Sequence, residues 1–180
     1  NCGEKDFFRL SSDVYPTHYD LQIRQDLEKL TFTGIEVIHL EIKSPKTTIK
    51  LHSLDLNITS VTFNGNIDAS IIYCKSEQTI LLNFPTAVVG PGSLQITYHG
   101  EISNQTTFGI YALKRIVSGK VRYSSQTTFE PSGARYFFAS FDEPSFKATY
   151  SISVIAPIDR TVLSNMPVLK QEAVSKNEKK

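Results

Sequence analysis

Tryptophan is absent from this 180-residue sequence, methionine occurs once and cysteine twice. Cys2 and Cys74 form no CxxC pair, which removes thiol-pair redox centres and cysteine-rich zinc ribbons from consideration. Histidine is scarce as well: His18, His39, His52 and His99 never fall three to five residues apart, so no zinc-binding helix or finger is encoded. There is no GxSxG elbow for a nucleophilic serine and no glycine-rich phosphate loop. No apolar run approaches the ~18 residues of a membrane span, and no signal-peptide pattern opens the chain. The net charge is +1 with both signs interspersed, which excludes a basic nucleic-acid footprint or a cationic membrane patch. Taken alone, the chain carries no recognisable catalytic machinery.

Two cysteines in a chain of this size do not make a disulfide framework, and Cys2 lies at the extreme terminus. Free thiols, and with them a reducing, cytoplasmic compartment, are the expectation, although a Cys2–Cys74 pair stays open. The sequons Asn57-Ile58-Thr59 and Asn104-Gln105-Thr106 point the other way, to a secreted, endoplasmic-reticulum or cell-surface ectodomain.

What is present is alternation. Tyr19, Leu21 and Ile23 share one face, and Phe32, Ile38, Leu40 and Ile42 share another. Leu54, Leu56 and Ile58 keep a period of two that Val61 and Phe63 resume one residue out of phase, which predicts a bulge or turn between them. Asn64-Gly65 reads as a tight turn, because both residues tolerate positive φ. Further runs appear at Ile80, Leu82 and Phe84, at Leu94, Ile96 and Tyr98, at Val121 and Tyr123, and at Tyr150, Ile152 and Val154. Pro85 and Gly90-Pro91-Gly92 punctuate them. The reading is an all-β fold: a saddle-like antiparallel or mixed β-sandwich domain with long connecting loops. It spans residues 1–169, and the Lys-rich residues 170–180 form a charged loop or truncated linker.

Alternation fails between residues 126 and 147, an aromatic and irregular run of the kind in which function tends to sit. If Glu130 ends a strand, it shares a side with Gln126 and Thr128, and Pro131 then closes the strand. Its carboxylate either caps a turn or faces a ligand. Asp142-Glu143-Pro144 reads as a structural turn.

The string Phe129-Glu130-Pro131-Ser132-Gly133-Ala134-Arg135, continued by Phe141-Asp142-Glu143-Pro144 and Phe146-Lys147-Ala148-Thr149-Tyr150, resembles the N-terminal domain of the gluzincin zinc aminopeptidases, the family of puromycin-sensitive aminopeptidase and aminopeptidase N. Arg9-Leu10, Val14-Tyr15-Pro16 and His18-Tyr19-Asp20-Leu21 are similar to its opening, and Leu163-Ser164-Asn165-Met166 to its end. The resemblance runs from Phe8 to Val168 and leans to the puromycin-sensitive branch. It implies a substrate-clamping β domain of an exopeptidase that removes N-terminal residues from peptides.

On that resemblance the zinc ligands lie in a catalytic domain outside this chain, so the chain binds no cofactor and is inactive alone. Its implied partners are the peptide N-terminus and the parent's own catalytic domain, with no nucleic acid and no direct membrane contact. The resemblance places Glu130 where the family anchors the substrate α-amine. Thr128 stands where many members carry Gln, and Gly133 where they carry Asp, which implies an altered first-pocket preference. Rival readings are a catalytically inactive scaffold of the same fold and a generic β-sandwich adhesion module. Phe137, Phe138 and Phe141 are the expected apolar contact surface, unless they pack in the core.

Overall fold

The computed structural model describes Cys2 and residues 9–180. Phe8, where the resemblance begins, lies outside the described residues. Among the described residues ten strands follow in order: β1 (Val14–Asp26), β2 (Thr31–His52), β3 (Asn57–Phe63), β4 (Ile67–Asp68), β5 (Ser70–Cys74), β6 (Thr79–Glu101), β7 (Gly109–Val117), β8 (Lys120–Thr128), β9 (Thr149–Pro157) and β10 (Glu178–Lys179). Helix among the described residues is confined to two three-residue 3-10 turns, Lys75–Glu77 and Ala134–Tyr136. The all-β expectation therefore holds, as a mixed sheet with a small second sheet.

Eight strands form one sheet in the order β10-β9-β1-β2-β6-β3-β4, with β5 also on β6. β2 and β6 are its spine, 22 and 23 residues long, paired from Thr31↔Glu101 to His52↔Thr79. The glycine-proline cluster at 90–92 does not end a strand, contrary to expectation. Pro91 pairs with Glu41, and β6 continues through it. Only the register yields, with shifts between Ile42 and Thr48 on the partner strand. The two runs flanking that cluster are thus the ends of one long strand, one end carrying β5 and the other β3. The phase slip after Ile58 is a register shift between Ile58 and Ser60, and Asn64-Gly65 turns with φ of 50° and 71°. β9 runs parallel to β1, which makes the sheet mixed.

β2 buries every second residue from Phe32 to Ile42, facing a core shared with Tyr19, Ile23, Leu82, Leu94, Ile96 and Tyr98. Each fully buried side chain of this kind contributes about 1.5–3 kcal/mol. Gly34 sits on that face because a Cβ there would stand 2.2 Å from Cζ of Tyr98. The tail that reads as a charged loop returns to the sheet: β10 pairs with the end of β9, Arg24 meets Glu178, and Lys180 Nζ donates to Gln22 Oε1 at 2.7 Å.

Cys2 and Cys74 are joined in a disulfide, so the expectation of two free thiols is wrong. Distance along the chain misled, because β5 carries Cys74 to within 5.5 Å (Cα–Cα) of Cys2.

Candidate functional site

The aromatic run between β8 and β9 covers the core face of the sheet. His52 and Ser140 exchange backbone hydrogen bonds at 2.8 and 3.0 Å, and the Leu54 N–H donates to the Arg135 carbonyl at 2.9 Å. The Phe141 N–H reaches the Tyr19 hydroxyl at 3.1 Å. Phe137 packs on Phe32 and Phe129, with ring centroids 5.3 and 5.5 Å apart, and Phe138 meets Tyr19 edge-on. Phe137, Phe138 and Phe141 are therefore core residues, 8%, 5% and 5% exposed, and the expected contact surface is not theirs. Exposed hydrophobes lie instead on the β7–β8 ribbon, at Ile116, Val117 and Val121, and in the segment after β9, at Leu163, Met166 and Leu169.

Polar contacts hold this cover in place. Arg135 donates from Nε to Asp142 Oδ2 at 2.9 Å and from Nη1 to Gln78 Oε1 at 2.8 Å, with both ends of the ion pair nearly buried. Glu143 accepts from the Leu10 N–H at 2.8 Å and pairs with Arg9 at 3.2 Å. Asp142-Glu143-Pro144 is thus a structural turn, and its two carboxylates are committed to the fold. His52 Nδ1 accepts the Asp142 N–H at 3.2 Å. Burial, reinforced by the Arg135 guanidinium, lowers its pKa to about 4, so the imidazole is neutral at pH 7.

Glu130 lies on the outer side of this cover. β8 ends at Thr128, so Glu130 belongs to the turn at 130–133 and the strand parity linking it to Gln126 and Thr128 does not reach it. Glu130 and Thr128 are both exposed, whereas Gln126 accepts a hydrogen bond from the Tyr111 hydroxyl at 3.1 Å. Glu130 makes no hydrogen bond or ion pair among the described residues. Pro131 follows it through a cis peptide bond, and the 3-10 turn begins later, at Ala134. Gly133 is where the backbone closes: its N–H donates to the Phe129 carbonyl at 2.6 Å, and a Cβ would stand 2.4 Å from the Thr128 carbonyl oxygen. Next to this turn opens a cleft of about 320 Å³ bounded by Pro131, Phe138, Ser140, Asp142 and Tyr150. Glu130 and Thr128 are not among its lining residues.

The family profile described as the peptidase M1 N-terminal domain matches residues 15–180. The chain belongs to the peptidase M1 N-terminal domain family. Human endoplasmic reticulum aminopeptidase 1 is 35% identical over 177 residues, 93% of this chain and 19% of that protein. Aminopeptidase N of Acetobacter pasteurianus is 32% identical over 174 residues, 96% of this chain and 49% of the relative. Glutamyl aminopeptidase of Sus scrofa is 32% identical over 177 residues, 93% and 19% respectively. The chain thus spans between a fifth and a half of the length of these relatives.

Among the described residues of this M1 domain, no group of three or more His, Cys, Asp or Glu is placed to hold a metal ion. The described residues offer no ligand set for the zinc of the family. No helix of the described residues is long and apolar enough to cross a membrane.

Reading the sequence for sites missed Glu36. It lies on the inward face of β2, fully buried, with neither carboxyl oxygen hydrogen-bonded among the described residues. Burial holds its pKa well above the usual 4.5, against a small opposing influence of the Ala139 amide. The signal was available: Glu36 falls on the same parity as Phe32 and Ile38. The neighbouring Tyr98 hydroxyl is also buried without a partner among the described residues.

Proposed function

We propose that the chain is the substrate-facing β domain of a zinc aminopeptidase, in which the Glu130 carboxylate receives the α-ammonium of a peptide. The observation that carries this reading is an exposed, uncommitted carboxylate on a turn whose underlying segment is fixed by Arg135, Asp142 and Glu143. The other acids of that segment are already engaged; Glu130 is available. An ammonium at ~4 Å from it gains about 1 kcal/mol in open water, and about 4 kcal/mol where neighbouring protein lowers the effective dielectric to ~20. The useful figure therefore needs a cover over the site, and in this proposal the parent enzyme's catalytic domain provides it and holds the zinc. Thr128 is too short for a direct contact with the first residue, so a water bridges it. The attraction fixes which peptide bond reaches the metal, and an acetylated terminus forfeits it.

In the full-length enzyme, Glu130→Gln and Glu130→Ala should each lower kcat/KM at least tenfold for peptides with a free N-terminus, chiefly through KM. Unchanged kinetics across several such peptides would refute the role. The Cys2–Cys74 bond supports a second element of the proposal. The enzyme works in an oxidising compartment, as a secreted, endoplasmic-reticulum or cell-surface protein, in place of the cytoplasmic expectation.

A further inference from the structure

Two sequence motifs have no part in peptide recognition, Asn57-Ile58-Thr59 and Asn104-Gln105-Thr106. In the folded chain both asparagines are exposed, and neither side-chain amide is hydrogen-bonded to the described residues. Asn57 opens β3 between buried Leu56 and Ile58, so strand alternation turns it outward. It borders a second cleft of about 320 Å³ together with Tyr73 and Lys75, the two neighbours of Cys74. Asn104 projects from the loop between β6 and β7. Ser103 fastens that loop: its N–H donates to the Ile110 carbonyl at 3.1 Å, and its carbonyl accepts from the Ala112 N–H at 2.7 Å. The Ser103 hydroxyl then accepts the N–H groups of Gln105 and Thr106 at 3.2 and 3.0 Å. The loop is complete without any contribution from the Asn104 side chain.

We propose that Asn57 and Asn104 are N-glycosylation sites, modified in the same oxidising lumen that closes the Cys2–Cys74 bond. The proposal rests on the compartment assigned above, and two independent features meet in it: acceptor tripeptides whose asparagines face solvent, and a disulfide that reducing compartments do not maintain. In the transfer step the side-chain amide nitrogen attacks the anomeric carbon of an oligosaccharide carried on a polyprenyl diphosphate. A nitrogen–carbon bond forms, the carbon–oxygen bond to the diphosphate breaks, the lipid diphosphate leaves with the electron pair, and the amide gives up one proton to the transferase base. No oxidant or reductant takes part.

The test is site-resolved mass spectrometry of the full-length protein made in eukaryotic cells from its own gene, before and after peptide N-glycosidase. Glycan is expected at both asparagines, converted to Asp by the enzyme. Asn57→Gln and Asn104→Gln should each remove one glycan's worth of electrophoretic mass. Thr106→Ser should keep the glycan on Asn104 and Thr106→Ala should lose it, a pattern that a merely structural threonine does not produce; these two variants are read by mass spectrometry whether or not secretion yield falls. Secreted protein with the disulfide intact and both asparagines unmodified would overturn the sites and leave the compartment standing. Free thiols at Cys2 and Cys74 in the native protein would overturn the compartment, and the glycans with it. Loss of the Glu130 effect on kinetics touches neither.

Discussion

From Phe32 to Ile42 β2 buries one residue in two, whereas residues 129–146 keep no period at all and still bury Phe137, Phe138 and Phe141. In the sheet, backbone groups pair along the ladder, and side chains need only alternate. In the covering segment the backbone finds its partners singly, at His52, Leu54 and Tyr19, and a few ionic contacts set the path. The first kind of order is redundant, since many similar contributions add. The second depends on named atoms, and losing one leaves a buried partner unpaired.

Breaking the sheet side of this contrast should have the larger effect. Phe32→Ala removes a ring that packs against Phe137 and Tyr98, and should cost about 3–5 kcal/mol in urea unfolding, with the transition remaining a single one. Arg135→Ala attacks the other side. Asp142 and Gln78 lose their donor, and a cost of about 2–3 kcal/mol is expected, localised to residues 129–146. Hydrogen exchange should show that segment opening while β2 and β6 stay protected. Uniform loss of protection would mean that cover and sheet are one cooperative unit.

The smallest and most discriminating test uses pH, because burial shifts His52 and Glu36 so that their contributions change with pH in opposite directions. His52, at the joint, has its folded pKa lowered from 6.5 to about 4. Between these values the unfolded chain binds a proton that the folded one does not, so this contribution to stability is lost as pH falls from 6.5 to 4. Glu36, in the sheet, has its pKa raised above 4.5. Above 4.5 the folded chain keeps a proton that the unfolded one releases, so its contribution falls as pH rises towards the folded pKa. Glu36→Gln should remove the decline that begins as pH rises above 4.5, and His52→Asn the one between pH 6.5 and 4, each by a slope on the order of 1 kcal/mol per pH unit at most. Unaltered slopes in both variants would place the pH dependence elsewhere.

These differences explain what could be read in advance. Period-two burial announced β1, β2, β3, β6 and β9, the slip after Ile58 and the turn at Asn64-Gly65, but not the short strands β4, β5 and β10. It also contained Glu36, which was overlooked because an acid on an apolar face was not counted by parity. The breaks assigned at Pro85 and Gly90-Pro91-Gly92 failed for a physical reason. A long paired neighbour, β2, carries β6 across them with two register shifts. β7 went unread because its ribbon is exposed on much of both faces, which leaves no alternation to detect. Glu130 and Thr128 stood out through a motif, and the structure adds that both are exposed and that the strand ends before Glu130.

By itself the amino-acid sequence determined the all-β class, the strand faces and the membership of a peptidase domain family, because periodicity and contiguous motifs are local properties of a chain. The tertiary structure alone decided that Cys2 meets Cys74, that the FDEP acids serve the fold, and that residues 178–179 return to β9. Those are contacts between positions far apart in sequence, and no local pattern records which distant partner a side chain will find.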